Sequence, residues 1–510
     1  MHFDYQLRSS WPPGAWLASG SEDDAQKATV EFGYGVEVFQ NWFGEIVWDG
    51  EFDQAGFDAT DVVFGSGGKQ AGGSVLFVGA SHTMDRLQTL ESAGRWWVSN
   101  SLVCLMEATG AEIDPLCREY ARRFASIISG LDRCHRRVPT SVGDVELVYC
   151  DNVRLQDGRL RREPKPTISR DVSTYFKYRE FLESTLRRCA KNMRSPSRQR
   201  PYEYLGTIST GFDSPACAAL ADSAGLKDVV TFATARDDLC DDGSAIASRM
   251  NMKAEAISRD AWAELPLPEP PFLSSDAKGE DVFFAGLGSR LERRVLLTGY
   301  AAGAWSAACR ANPELKRVDQ SGLSLTEFRL WSDFIHLPVP TIGVRSASED
   351  DVQHRSHDLQ SWASGKRYDK PFCRRLLVES GVPAEEFGQQ KKAASVLVFD
   401  RRSLLSPGSL ADFREHLRQA RGSRPLAAIC HRSRDTAEVA ASRAIWLGLA
   451  AARAIARVVP LRWLRRIAES SRLAEAAHYE PLSRYLFPWA LAHARRRYRE
   501  SADRREEVEQ

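Results

Sequence analysis

Residues 202–225 constrain this chain most, because they read as a strand, a tight glycine turn and a helix. Tyr204-Leu205-Gly206-Thr207-Ile208 is short, apolar and partly β-branched, as a buried parallel strand requires. The turn is Ser209-Thr210-Gly211-Phe212-Asp213-Ser214, and Pro215-Ala216-Cys217-Ala218 opens a helix. Ser214 suits the N-cap, Pro215 the first turn, and Gly225 the stop. Amides at a helix N-terminus carry about half a positive charge, so the turn should attract a phosphate. Ser209, Thr210 and Ser214 add hydroxyl donors, and Gly211 allows a ligand close to the backbone. Asp213 repels a bare phosphate, so its fitting use is to hold Mg²⁺ between protein and phosphate. An ordinary strand-to-helix turn is the competing reading.

The flanks extend the pattern. Residues 229–233, 254–257 and 294–298 read as further strands, with a helix over about 242–251. This alternation predicts an α/β fold with a doubly wound parallel sheet, its ligands at the strand C-terminal ends. Ser209, Ala233, Thr234 and Gly299 fall at such ends, with adenine expected against the backbone of 232–235. Residues 1–165 read as a strand-rich α+β domain, 166–400 as the nucleotide-binding domain, and 401–510 as helices. Within the first, 145–149 and 152–155 flank an expected hairpin. Gly65-Ser66-Gly67-Gly68-Lys69 lacks P-loop spacing and reads as a flexible turn.

The turn resembles the Ser-Gly-Gly-x-Asp-Ser pyrophosphate loop (PP-loop) of the ATP pyrophosphatases. In order along the chain, residues 170–400 look like the synthetase half of the glutamine-dependent asparagine synthetases. Tyr368-Asp369-Lys370-Pro371-Phe372 matches a helix start of that family, and Gly388-Gln389-Gln390-Lys391-Lys392 sits where members carry a lysine that reaches the reacting phosphate. The resemblance implies a PP-loop fold and an ATP-dependent ligase that adenylates a small-molecule or peptide carboxylate and passes it to an amine. Ser209, Thr210, Gly211 and Ser214 would hold pyrophosphate, Asp213 Mg²⁺, and Lys391 the transition-state charge. Two departures matter. The family's glutaminase uses a cysteine directly after the initiating methionine, where this chain has His2. The first domain is therefore expected to be a degenerate, glutaminase-like scaffold. The family's metal-binding acids after the fourth strand are also missing, the loop being Gly299-Tyr300-Ala301-Ala302-Gly303-Ala304. The alternative is thus a non-catalytic, nucleotide-binding or scaffold descendant. The acidic residues Asp237, Asp238, Asp241 and Asp242 either substitute for those acids or form a solvated helix start.

Composition narrows the partners. A net charge of +1 over 510 residues gives no overall bias towards nucleic acid. Ten cysteines without paired spacing fit reduced thiols, and with no leader-like start the expected location is cytoplasmic. No run of about eighteen uncharged apolar residues appears, so no transmembrane segment is expected. Charge is uneven, however: residues 401–510 hold 22 Arg, no Lys and 12 Asp and Glu, a net of +10. Helices there suit either an arginine-studded cap on the core or peripheral contact with an anionic membrane surface.

Overall fold

The computed structural model describes residues 2–24, 27–401, 405–458, 463, 467–468 and 470–499. The charged segment from 500 on, expected to fray, lies outside them. Strands within residues 2–163 form a seven-stranded and a six-stranded sheet. These face one another across Trp16, Ala18, Val30, Phe43, Phe77 and Val98. Alternation does the sorting, since Leu17 points the other way, into a core shared with the helix Leu102–Thr109.

Two expectations fail in this layer. The 65–69 segment is the middle of the strand Val63–Ala71, not a turn. Its glycines admit the neighbouring strand: a Cβ at Gly67 would lie 2.2 Å from the Phe43 carbonyl oxygen, and one at Gly68 2.6 Å from the Phe43 ring. Nor do 145–149 and 152–155 form a hairpin. The strands Gly143–Val148 and Asn152–Gln156 belong to different sheets, the chain crossing between them at Cys150, whose φ is +59°.

The third sheet is wholly parallel. Its strands are β1 (Glu203–Ile208), β2 (Asp228–Phe232), β3 (Lys253–Ile257), β4 (Arg294–Thr298) and β5 (Phe334–Pro338), in the order β3-β2-β1-β4-β5. Both faces are apolar, as a parallel sheet covered by helices requires. Tyr204, Ile208, Val229, Val295 and Leu297 pack with α1 (Tyr175–Met193), α2 (Asp213–Ala221) and the later helix Pro371–Glu379. Leu205, Val230, Phe232, Leu296 and Phe334 face the opposite core, with α3 (Leu325–Trp331). Pro371–Glu379 is α4, followed by α5 (Pro407–Gly422), α6 (Pro425–Val458) and α7 (Leu486–Arg495). The molecule is thus mixed α/β, strand-rich at its start and helical at its end.

The last helices are not an appendage. Leu486, Trp489 and Ala490 of α7 enter the parallel-sheet core, while Phe487, Leu491 and Ala494 enter the core beside Leu102–Thr109. Among the described helices one, Pro425–Ala456 within α6, is long and apolar enough to cross a membrane by length and composition alone. Arg443 and Arg453 interrupt it, which is why no uncharged run shows in the sequence. All ten cysteines are free thiols.

Buried ions lock the layers together. Arg329 on α3, 1 % exposed, donates to Glu45 from Nη1 at 2.7 Å and from Nη2 at 3.2 Å, and to Asp85 from Nε at 2.7 Å. Glu327 on the same helix accepts from Ser101 Oγ (2.6 Å), Tyr498 Oη (2.5 Å) and Trp331 Nε1 (2.9 Å). Removing the guanidinium leaves two buried carboxylates unpaired, which typically costs about 3–5 kcal/mol. Arg329→Leu should therefore lower the urea midpoint markedly; an unchanged midpoint would show that the ions contribute nothing to cohesion.

Candidate functional site

Strand order reverses between β1 and β4, and the C-terminal ends of strands at such a switch point are the usual ligand position in parallel sheets. After β1 comes the Ser209–Ser214 turn, and after β4 the 299–304 loop. The two touch: a Cβ at Gly299 would lie 2.6 Å from Asp213 Cβ and 2.9 Å from the Ser214 nitrogen. Glycine at 299 is therefore required by packing against the first turn of α2.

The turn differs in detail from its expected form. Helix α2 begins at Asp213, and its N-cap is Phe212, which has helical backbone angles and no side-chain cap. Phe212 is fully buried against Phe387 and Tyr368, and this anchor draws the helix start forward. Ser214 Oγ meets Ser209 Oγ at 3.0 Å instead of capping, and Ser209 Oγ accepts from the Gly211 amide at 3.1 Å. Gly225 behaves as expected, with φ +86° after a short 3₁₀ turn. The rest of the turn is half-exposed. Above Gly211 there is room, since a Cβ there would meet only Ser209 Oγ at 3.3 Å and Tyr368 Oη at 3.7 Å. No described hydrogen bond engages the amides of Asp213 and Ser214.

Three lysines and one aspartate, Asp241, surround the turn. Lys370, at the start of α4, donates to Asp213 Oδ1 at 2.5 Å and to the Ala302 carbonyl at 3.0 Å. Lys392 donates to Thr210 Oγ1 at 2.7 Å and to the Cys240 carbonyl at 2.6 Å. Lys391 is exposed, and its charge reaches Asp213. Burial pushes the Asp213 carboxyl up, and Lys370 opposes that shift. Asp241, 7 % exposed, accepts from Thr210 through both the amide (3.2 Å) and the hydroxyl (2.7 Å). A protein carboxylate thus already engages both donors of Thr210.

Asp241 arrives there because the chain folds back after β2. Thr234 bridges Cys240, Ser209 bridges Asp242, and the Asp241 amide donates to the Ala233 carbonyl at 3.1 Å. Ala233 also donates to the Ile257 carbonyl at 3.2 Å, so the backbone expected beside adenine already has partners. Of the acidic run, Asp242 accepts from the amide and hydroxyl of Ser244, serving the helix Ser244–Arg249. The sequence showed that run but not that Asp241 turns to Thr210.

These residues do not fit a Mg²⁺ site. Asp213 is already neutralised by an ammonium, the 299–304 loop offers no acid, and among the described residues no group of three His, Cys, Asp or Glu could hold a metal ion. His354 and His357 are exposed on the helix Glu349–Asp358.

A second cluster, unanticipated from sequence, lies beyond Gly299. Tyr300 Oη donates to Asp281 Oδ1 at 2.6 Å, and Ser324 Oγ to Asp281 Oδ2 at 2.5 Å. Burial pushes Asp281 up to about 6 and neighbouring Glu280 up to about 7. Tyr300 follows directly on Gly299, which packs against Asp213. Thr298, at the end of β4, is held by His336 Nε2 at 2.8 Å, and burial keeps that imidazole neutral at about 3. Such a poised carboxylate–phenol pair can accept a proton near neutrality.

Neither a protein-family model nor a curated protein matches the chain.

Two expectations follow. Asp241→Ala vacates the Thr210 donors, so calorimetry should show pyrophosphate binding about tenfold tighter; weaker binding would mean Asp241 builds the seat instead of filling it. Asp281 binds a proton more tightly folded than unfolded, so its contribution is full below about pH 4 and is lost as pH rises to about 6. Asp281→Asn should remove that part of the decline in urea midpoint between those pH values, and an identical profile would refute the shift.

Proposed function

We propose that this chain is an asparagine-synthase-like, ATP-dependent amide-forming ligase that lacks its own glutaminase. One observation carries the reading: a half-exposed turn at the switch point of the parallel sheet, with two unengaged amides and three lysines around it. A triphosphate needs that combination of backbone donors and positive charge. In the proposed reaction a carboxylate oxygen of the substrate bonds to the α-phosphorus of ATP and pyrophosphate leaves. An amine then bonds to the acyl carbon and AMP leaves. Ser209, Thr210, Gly211 and Ser214, with the backbone amide of Asp213, form the pyrophosphate seat. Lys391 and Lys392 stabilise its charge, with Lys370 holding Asp213. Asp281, acting through Tyr300, takes the proton released by the amine. The substrates are a small-molecule or peptide carboxylate and an amine, and the seat belongs to the PP-loop type.

A second reading has its own support. Asp213 is tied to Lys370 beside a loop without acids, as suits a descendant that binds nucleotide and no longer turns it over.

Carboxylate-dependent ATP–pyrophosphate exchange separates the two. Wild type should exchange, and Asp213→Ala should lose about 100-fold or more. ATP binding by calorimetry without exchange on any carboxylate supports the second reading. Absence of both binding and exchange overturns both.

A further inference from the structure

Helix α6 plays no part in that chemistry, and its surface is unlike that of a core helix. Only 17 % of its most apolar window is buried. One side is anchored: Asp435, Ser442, Leu449 and Ala452 are buried. Asp435 accepts from Arg421 Nη2 at 2.6 Å and from Tyr485 Oη at 3.2 Å, with Arg118 at 3.3 Å. The opposite side, at helical spacings of three and four, is Ala440, Ala444, Leu447, Ala451 and Ile455, all exposed and uncharged. On this face Leu447 is 61 % exposed and Ile455 49 %; Trp446, 49 % exposed, stands beside the anchored side. Trp463 (58 %) and Ile467 (39 %) carry apolar exposure beyond the end of α6. Single exposed apolar residues need no explanation, but a connected face of them does.

Charge decides what covers this face. Exposed Arg443 flanks the face, in a region of net +10 without a single lysine, while Arg453 lies on the anchored side and donates to the Ala468 carbonyl at 3.2 Å. Pairing with a second copy would bring two arginine-bearing faces together, which costs energy. An anionic lipid surface complements them: apolar side chains enter the headgroup–acyl boundary, arginines meet lipid phosphates, and tryptophans sit at the interface. We infer that α6 docks the protein flat on an anionic lipid surface through the face centred on Leu447, with Arg443 at its edge bound to lipid phosphate. The long helix, about 50 Å at 1.5 Å per residue, lies along the surface and does not cross it.

The test is co-sedimentation of the full chain with phosphatidylcholine vesicles, with and without phosphatidylglycerol; no nucleotide is needed, so the result is independent of the ligase reading. Binding should require phosphatidylglycerol and weaken as salt rises. Arg443→Glu should weaken it about fivefold or more. Leu447→Glu should weaken it more than tenfold. Both positions are exposed, so circular dichroism and thermal midpoint should be unchanged. Four results would overturn the inference: no binding, equal binding to neutral vesicles, resistance to alkaline carbonate extraction as for a spanning helix, or a vesicle-free dimer dispersed by Leu447→Glu.

Discussion

The guanidinium of Arg329 ties the site to the rest of the molecule. A buried charge is tolerated only where its partners are close and their remaining valences are filled. Here Glu45 and Asp85, from separate parts of the two-sheet layer, meet one arginine, and Ser66 and Asn100 also donate to Glu45. Two residues earlier on the same short helix, Glu327 joins that layer at Ser101 to the C-terminal end at Tyr498. Helix α3 leads directly into β5, which pairs with β4. The 299–304 loop is thereby positioned, through two hydrogen-bonded strands, by ions that belong to the first sheets. The first region therefore has structural work to do in placing that loop.

The site follows the logic of a phosphate seat, but its charges are balanced internally. Asp241 and Lys392 occupy the Thr210 end, and Asp213 and Lys370 the helix end. Each pair places one anion and one cation on a half-exposed turn. In the proposed function, ligand binding there is an exchange, in which phosphate displaces carboxylate and inherits its donors. Exchange lowers affinity relative to an empty seat, because the displaced carboxylate must be solvated again.

Much of the parallel sheet was legible in sequence. The first four strands were found, because fully buried strands appear as short apolar runs. The fifth, β5, was not among them, because His336 breaks its apolar run and prolines close it. The glycine-rich 65–69 segment was misread because glycine signals both turns and close strand approach, and only the position of Phe43 separates the two. At the site, the turn itself was legible, whereas its neighbours were not. Lys392 and not Lys391 makes the hydrogen bond to it, a difference of one residue. Asp241 and the Asp281–Tyr300 pair come from loops whose path depends on tertiary packing, which local pattern does not encode.

The acid-free loop after β4 and the lysine at the start of α4 are best understood together. Asp213 sits where burial disfavours its charge, so the fold must supply a cation or leave the carboxyl protonated. A divalent ion would need further oxygen ligands from the 299–304 loop, and alanine and glycine provide none. An ammonium needs less. Lys370 is satisfied by one carboxylate oxygen and one carbonyl, and that carbonyl belongs to Ala302 in the same loop. The loop thus remains a ligand source, with a backbone oxygen serving a lysine where side-chain acids would serve a metal. An ammonium neutralises the carboxylate at the helix start but cannot gather several oxygen ligands as a divalent ion does.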